Sequence, residues 1–214
     1  MNYKIAFISQ AGNVGKTALA TALACDAIKN KLSTAIMDLD IEHRSATQWA
    51  KQRAALGIKP AIPVKSLDTA SAALNQIKGE GLQIIDCPSR ATEATTIIGA
   101  NVDLLVIPVP PGKKDADLQL TAIKRLNDQG IPVQRCLMVM TRQESDAETR
   151  RIRRYIQGAK VNGQSVRTLP QILPEKLSYR AAIDDGYTIL ETPYKSLNTT
   201  AQKVVRAIME DLIA

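Results

Sequence analysis

The residues best suited to chemistry lie in one short segment, Ser9-Gln-Ala-Gly-Asn-Val-Gly-Lys-Thr17. A phosphate tail needs backbone N–H groups turned inward, no Cβ where the chain approaches the oxygens, a cation beside the β- and γ-positions, and a hydroxyl for Mg²⁺. Gly12, Gly15, Lys16 and Thr17 supply these in order, with Asn13, Val14 and Ala18 completing the loop and opening the next helix. The segment follows the apolar run Lys4 to Ser9 and precedes a helical pattern, so the expected ligand is a nucleoside triphosphate carried with Mg²⁺. Two other apolar runs end in acid: Ala35-Ile-Met-Asp38-Leu-Asp40 and Leu82-Gln-Ile-Ile-Asp86. A carboxylate ending an apolar strand costs free energy unless a cation or hydrogen bonds compensate, which makes Asp38, Asp40 and Asp86 candidates for the same site. With His43 the only histidine, histidine triads and multi-histidine metal sites are excluded by counting.

The elements that must position these residues alternate. Strands are expected at about 4–9, 33–40, 61–66, 81–87, 103–109, 135–141 and 165–170, with helices near 17–30, 45–55, 68–78, 91–100, 115–129 and 145–157. Continuous apolar strands such as Leu104 to Val109 and Cys136 to Met140 fit a parallel sheet covered on both faces, a doubly wound α/β fold. At 214 residues and 45% hydrophobic, the chain suits one domain, 1–214, without an N-terminal helix-turn-helix before the first strand. Cys25, Cys87 and Cys136 are far apart in apolar stretches and read as buried free thiols. No long apolar or leader-like segment is visible, so a cytoplasmic location is expected. The excess of 28 Lys+Arg over 21 Asp+Glu gives +7, which favours an anionic partner, and 3% aromatic content argues against base-stacking platforms on single strands.

The loop's spacing is informative. The common G-x-x-x-x-G-K-[ST] pattern would require glycine at position 10, where this chain has Gln10. The shorter G-x-x-G-K-T resembles the deviant Walker A loop K-G-G-x-G-K-[ST] of the ParA/MinD family: Gly12, Gly15, Lys16 and Thr17 match, Ala11 stands at the signature lysine, and Asn13 replaces a glycine. The resemblance covers almost the whole chain and implies an ATPase using ATP and Mg²⁺. It assigns catalysis to Asp38, orienting the attacking water, together with Lys16. It places Thr17, Asp40 and Asp86 around Mg²⁺, with Asp86 ending a Walker B-like strand, and makes Cys87 to Arg90 the loop that senses the γ-phosphate. Adenine contacts fall on Thr141, Arg142 and the stretch from Pro170 to Pro174, although the residues alone leave GTP open.

In the family the signature lysine crosses a nucleotide-sandwich homodimer to the partner's phosphates. Ala11 cannot do so. Three explanations stand: a substitute cation, a dimer without a crossing cation, or binding with little hydrolysis. The candidates for substitution are Lys113, Lys114 and the cluster Arg150, Arg151, Arg153 and Arg154, the last supported by McdA-type relatives that also lack the lysine. The same cluster suits a solvated helix face pairing with Asp146 and Glu148. It also suits nonspecific DNA contact together with Lys160, Arg167, Lys195, Lys203 and Arg206. The resemblance thus implies a ParA-like ATPase that dimerises with ATP, becomes nucleoid-associated through nonspecific DNA, and partitions DNA or positions a large cargo with an adaptor of ParB or McdB type. A MinD-like membrane role is disfavoured, because the last helix, from about Leu197, ends Met209-Glu-Asp-Leu-Ile-Ala214 with acidic residues near its tip. A metabolic ligase on the same fold is the other alternative, and no further substrate constellation supports it.

Overall fold

Ile5 and Phe7 pack on one face of a central strand while Ala6 and Ile8 pack on the other, and this period of two organises the molecule. The computed structural model describes residues 2–76, 80–90 and 93–214. In chain order the elements are β1 (Asn2–Ser9), α1 (Lys16–Lys29), β2 (Thr34–Asp38), α2 (Ser45–Ala55), β3 (Val64–Ser66), α3 (Ala70–Asn75), β4 (Gly81–Ser89) and α4 (Glu93–Asn101). They continue with β5 (Leu104–Val109), α5 (Lys113–Asp128), β6 (Cys136–Gln143), α6 (Asp146–Gly158), β7 (Lys160–Val161), β8 (Gln164–Ser165), β9 (Arg167–Pro174), α7 (Leu177–Asp184) and α8 (Lys195–Ile213). Residues 77–78 of the helix expected over 68–78, and 91–92 of the helix expected over 91–100, lie outside the described residues.

The main sheet has the order β3-β2-β4-β1-β5-β6-β9, and every pairing in it is parallel. The alternation seen in β1 repeats in β4, β5 and β6: Leu82, Ile84, Val106 and Val139 face a core shared with α1 and α8, whereas Ile85, Leu105, Ile107 and Met138 face a core shared with α4, α5 and α6. The doubly wound expectation therefore holds. The chain leaves β1 for α1 with β4 on one side of β1 and β5 on the other, which opens a crevice at the carboxyl end of β1.

Two local expectations are corrected. The final sheet strand is Arg167–Pro174 rather than 165–170, because Asn162 (φ 47°) and Gly163 (φ 82°) form a tight left-handed turn that pairs β7 with β8 and delays entry to the sheet. The short helix α7 was not expected, and it walls the site described below.

One ion pair fastens α2 to the chain after α7. Arg53, 1% exposed, lies over the Trp49 ring at 5.4 Å and donates to the Pro60 carbonyl at 3.0 Å and the Gly186 carbonyl at 3.1 Å. It also grips Glu191 with two bonds of 2.8 and 3.0 Å. Burial alone would raise the Glu191 pKa, but hydrogen bonds from Arg53 and the Thr188 amide, with the charges of Arg53 and Lys29, outweigh it and hold the value at about 2. Because the folded value lies below the ordinary 4.5, the carboxylate contributes stability that is complete above that ordinary value and is lost as pH falls towards about 2. Arg53→Ala, which leaves the part-buried Glu191 carboxylate to Lys29 and Thr188 and takes the donor from two carbonyls, is expected to cost roughly 1–3 kcal/mol. Glu191→Gln should flatten the acid limb of stability, measured by urea titration from about pH 6 to about pH 2; an unchanged acid limb would remove this pair from its anchoring role.

Candidate nucleotide site

The loop from Gln10 to Gly15 turns the chain from β1 into α1 using two left-handed residues, Asn13 (φ 56°) and Gly15 (φ 96°). Gly15 is the N-cap of α1 and provides no side-chain acceptor, so the first-turn amides of that helix are not satisfied by a side-chain cap and point toward an anion site. Lys16 is 7% exposed, and its Nζ donates to Ser9 Oγ at 2.9 Å and Ser89 Oγ at 3.0 Å. Burial lowers its pKa, against the opposing pull of Asp86 and Asp40. Among the described residues no carboxylate neutralises Lys16 by a direct bond, which leaves its charge available to phosphate oxygens. Ser9 Oγ in turn donates to the Ala11 carbonyl at 2.6 Å, bracing the loop from within.

Thr17 Oγ1 donates to Asp86 Oδ2 at 2.7 Å, bringing the helix start and the end of β4 together. Asp86 Oδ1 is buried without a hydrogen-bond partner. Burial pushes the Asp86 pKa up to about 7, with the Thr17 hydroxyl and Lys16 pulling it down and the charges of Asp38 and Asp40 pushing it up. A buried oxygen without a partner, beside a threonine hydroxyl and a lysine, is chemically suited to a Mg²⁺ shell reached directly or through water. Among the described residues no group of three or more His, Cys, Asp or Glu could hold a metal ion. Thr17, Asp86 and, on the cavity wall, Asp40 are the side chains that would hold a divalent ion beside phosphate oxygens.

Asp38 lies level with Asp86 across the β2–β4 ladder and is fully buried. Its Oδ2 accepts from the Thr47 amide at 2.8 Å and the Thr47 hydroxyl at 2.7 Å, and its Oδ1 accepts from the Asp40 amide at 3.1 Å. In this conformation Asp38 holds the start of α2 and does not line the phosphate-side cavity. Asp40 does line it, with Gly12 to Ala18, His43, Trp49 and Ser89, and Asp40 Oδ1 accepts from the His43 amide at 3.1 Å. Thr47 was not singled out from sequence, because a lone hydroxyl at the start of a helix belongs to no motif, and Ser9 and Ser89 lay within named segments without a role of their own.

A second cavity, of about 280 Å³, continues past Asn13, Gly15 and Ala18 and is walled by Thr141, Arg142, Leu173, Pro174, Glu175 and residues of α7. Thr141 donates to the Val14 carbonyl at 2.9 Å. Arg142 donates to the Asn13 carbonyl and to Glu175 Oε2, both at 2.7 Å, with Arg180 pairing to the other Glu175 oxygen. The partly apolar walls suit a nucleobase, and the structure brings Thr141 and Arg142 to them. Pro170 is not brought there: it is exposed on β9, its carbonyl taken by Arg153 at 2.6 Å, and Pro174 occupies the cavity wall. The later register of β9 accounts for that shift of four residues. Tyr179 and Ile183 of α7 went unnoticed because α7 itself did.

A family model described as the CobQ/CobB/MinD/ParA nucleotide-binding domain matches residues 5–189. No curated protein sequence matches the chain significantly. Among solved structures, an ATP complex of an aspartate-to-alanine variant of McdA from Cyanothece superposes with TM-score 0.71 at 16% identity, covering 97% of this chain and 96% of that one. MinD from Pyrococcus horikoshii with Mg-ADP gives 0.73 at 14% identity over 98% and 96%. A ParA-family ATPase from Chlorobium tepidum gives 0.69 at 13% identity over 96% and 98%. At these identities the likeness is one of fold.

Asp86→Asn tests the electrostatics. The wild-type carboxyl favours its protonated form in the folded state, a contribution present below its ordinary pKa of 3.8 and lost as pH rises through about 7. Ligand-free Asp86→Asn should therefore be the more stable protein above that pH, by roughly 1–3 kcal/mol, while thermal melting shows a reduced gain from adding Mg²⁺ with nucleotide. Equal melting of both proteins across the alkaline range would contradict the assignment.

Proposed function

Because this chain belongs to the CobQ/CobB/MinD/ParA family of nucleotide-binding domains, we propose that it is a ParA-type ATPase that binds Mg-ATP, dimerises with it, and associates with DNA nonspecifically. In this reading it partitions DNA or positions a large cargo, with an adaptor protein stimulating turnover. The observation that carries the nucleotide part is the cluster of Lys16, Thr17 and Asp86 at the open N-terminus of α1, continuous with a base-sized cavity. Lys16 and the α1 amides bind the β- and γ-phosphates, Thr17 and Asp86 hold Mg²⁺ with them, and Thr141 and Arg142 border the base. Phosphoryl transfer is mainly positioning and charge stabilisation. Asp38 serves that step from its buried position, fixing Thr47 and the Asp40 turn beside the phosphates.

The DNA part is supported by the distribution of charge. Arg150, Arg151 and Arg154 of α6 are exposed, with, among the described residues, only a 3.6 Å contact between Arg151 and Glu148, whereas Arg153 is drawn to the Pro170 carbonyl. Lys195, Lys203 and Arg206 lie exposed along α8. Two copies brought together would double the charge offered to a phosphate backbone. A membrane role has less support: among the described residues no helix is long and apolar enough to cross a membrane, and Asp211 near the end of α8 is paired with Arg167 at 2.8 Å.

Purified protein should retain unrelated duplex DNA with Mg-ATP and far less with Mg-ADP, losing it steeply as salt rises. Equal retention in the two nucleotide states would sink the switch. Lys16→Ala should weaken ATP binding at least about tenfold, through loss of a charged contact to phosphate. Asp38→Ala should keep ATP binding, measured calorimetrically, while slowing hydrolysis; normal turnover would take Asp38 out of the reaction.

A further inference from the structure

A nucleotide that spans both cavities passes its sugar through the opening between them. Asn13, Gly15, Ala18 and Ile183 border both cavities and so mark that opening. Asp184, next to Ile183, lines the base-side cavity. Glu175 and Lys176 stand at the opposite end of α7, about 10 Å away by the rise of its eight residues. Two contacts dock the Asp184 end of α7 against α2, whose Trp49 lines the phosphate-side cavity. Gln52 donates to the Asp184 carbonyl, and Trp49 Nε1 donates to the Tyr187 carbonyl at 3.0 Å. Along α7, then, Asp184 is the acidic residue beside the opening.

The base-side cavity is lined by two carboxylates, and only one is committed. Glu175 accepts from Arg142 at 2.7 Å and pairs with Arg180. The Asp184 carboxylate is exposed, and among the described residues it has no hydrogen-bond or ion-pair partner. Helix chemistry gives it no reason to be there. Asp184 is the last residue of α7, where the helix dipole disfavours negative charge, and the last turn carries no basic residue to offset it. Asp185, the C-cap, shares that disadvantage but does not line the cavity.

We propose that Asp184 recognises the sugar, accepting hydrogen bonds from the ribose hydroxyls of a bound nucleotide, and that the site thereby selects nucleotides carrying an intact ribose diol. The inference rests on the nucleotide reading above. An ionised carboxylate only accepts, through two oxygens, and a cis-diol offers two O–H donors on adjacent carbons, so the two groups match in number and polarity. Acidic side chains serve ribose hydroxyls in the same way in dinucleotide-binding α/β folds, where the ligand also lies at the carboxyl ends of the strands. Because Gln52 bonds to the Asp184 backbone, this end of α7 is docked on α2 independently of the side chain. The carboxylate is thus held at the opening before any ligand arrives.

The test uses calorimetric titration of the full chain with Mg-ADP and with its dideoxy form, which lacks both ribose hydroxyls and is otherwise identical. The wild type should prefer Mg-ADP by at least about fivefold, a modest ratio because water competes for an exposed carboxylate. Asp184→Ala should bring the two affinities to within about twofold of each other, since loss of a negative charge acts on both nucleotides alike and cancels in the ratio. Its melting temperature should equal or exceed the wild type's, because the charge leaves a disfavoured helix end. Asp184→Asn, which keeps one acceptor oxygen, should retain part of the preference, and Asp185→Ala all of it. A wild type that binds both nucleotides equally overturns the proposal, as does the full preference persisting in both Asp184 variants or an equal loss in Asp185→Ala. A wild type that binds neither nucleotide overturns the nucleotide reading itself, and this proposal with it.

Discussion

The rest of the site depends on the burial of one carboxylate where β4 meets α1. Asp86 is 1% exposed, has one oxygen committed to Thr17 and leaves the other without a partner. A charge in that position is unfavourable unless something positive approaches, and Lys16 is the nearest source within the chain. The remaining features follow from that constraint: Lys16 is kept near but unpaired by the two serine hydroxyls, the first turn of α1 is left without a side-chain cap, and Asp38 is placed in register one strand away. Ligand-free, the centre holds electrostatic tension that phosphate and a divalent ion are suited to relieve.

Much of the sheet was legible because its strands are continuous apolar runs that satisfy two cores at once. Ile84 and Ile85, adjacent in sequence, serve opposite faces, and only a doubly covered sheet makes such a run consistent. The phosphate loop was legible because Gly15 and the Lys16-Thr17 pair are dictated by geometry that few other residue types meet. The less legible parts depend on contacts distant in sequence. Thr47 serves Asp38 nine residues away, a relation no local pattern announces. α7 is eight residues with one side against the site and the other in solvent, too short for a clear helical period. Pro170 and Pro174 are indistinguishable by type, and only the Asn162–Gly163 turn, by setting where β9 begins, decides which of them reaches the cavity.

The two cavities are joined by backbone as well as by position. Thr141 bonds to the Val14 carbonyl and Arg142 to the Asn13 carbonyl, so the base-side wall grips the phosphate loop at consecutive residues. Occupation of the second cavity would therefore bear on the shape of the loop between β1 and α1, so that a nucleotide spanning both cavities would be met as one object.

α2 is pinned at both ends. Asp38 holds its first turn through Thr47, and Arg53 bolts its last turn to Glu191, from which Thr192 bonds on to Asn198 in the first turn of α8. A helix free at one end absorbs a displacement by fraying, but a strut clamped at both passes it along. Geometrically, then, the buried aspartate at the end of β2 and the helix carrying Lys195, Lys203 and Arg206 are opposite ends of one mechanical linkage, with Trp49 riding on the strut between them.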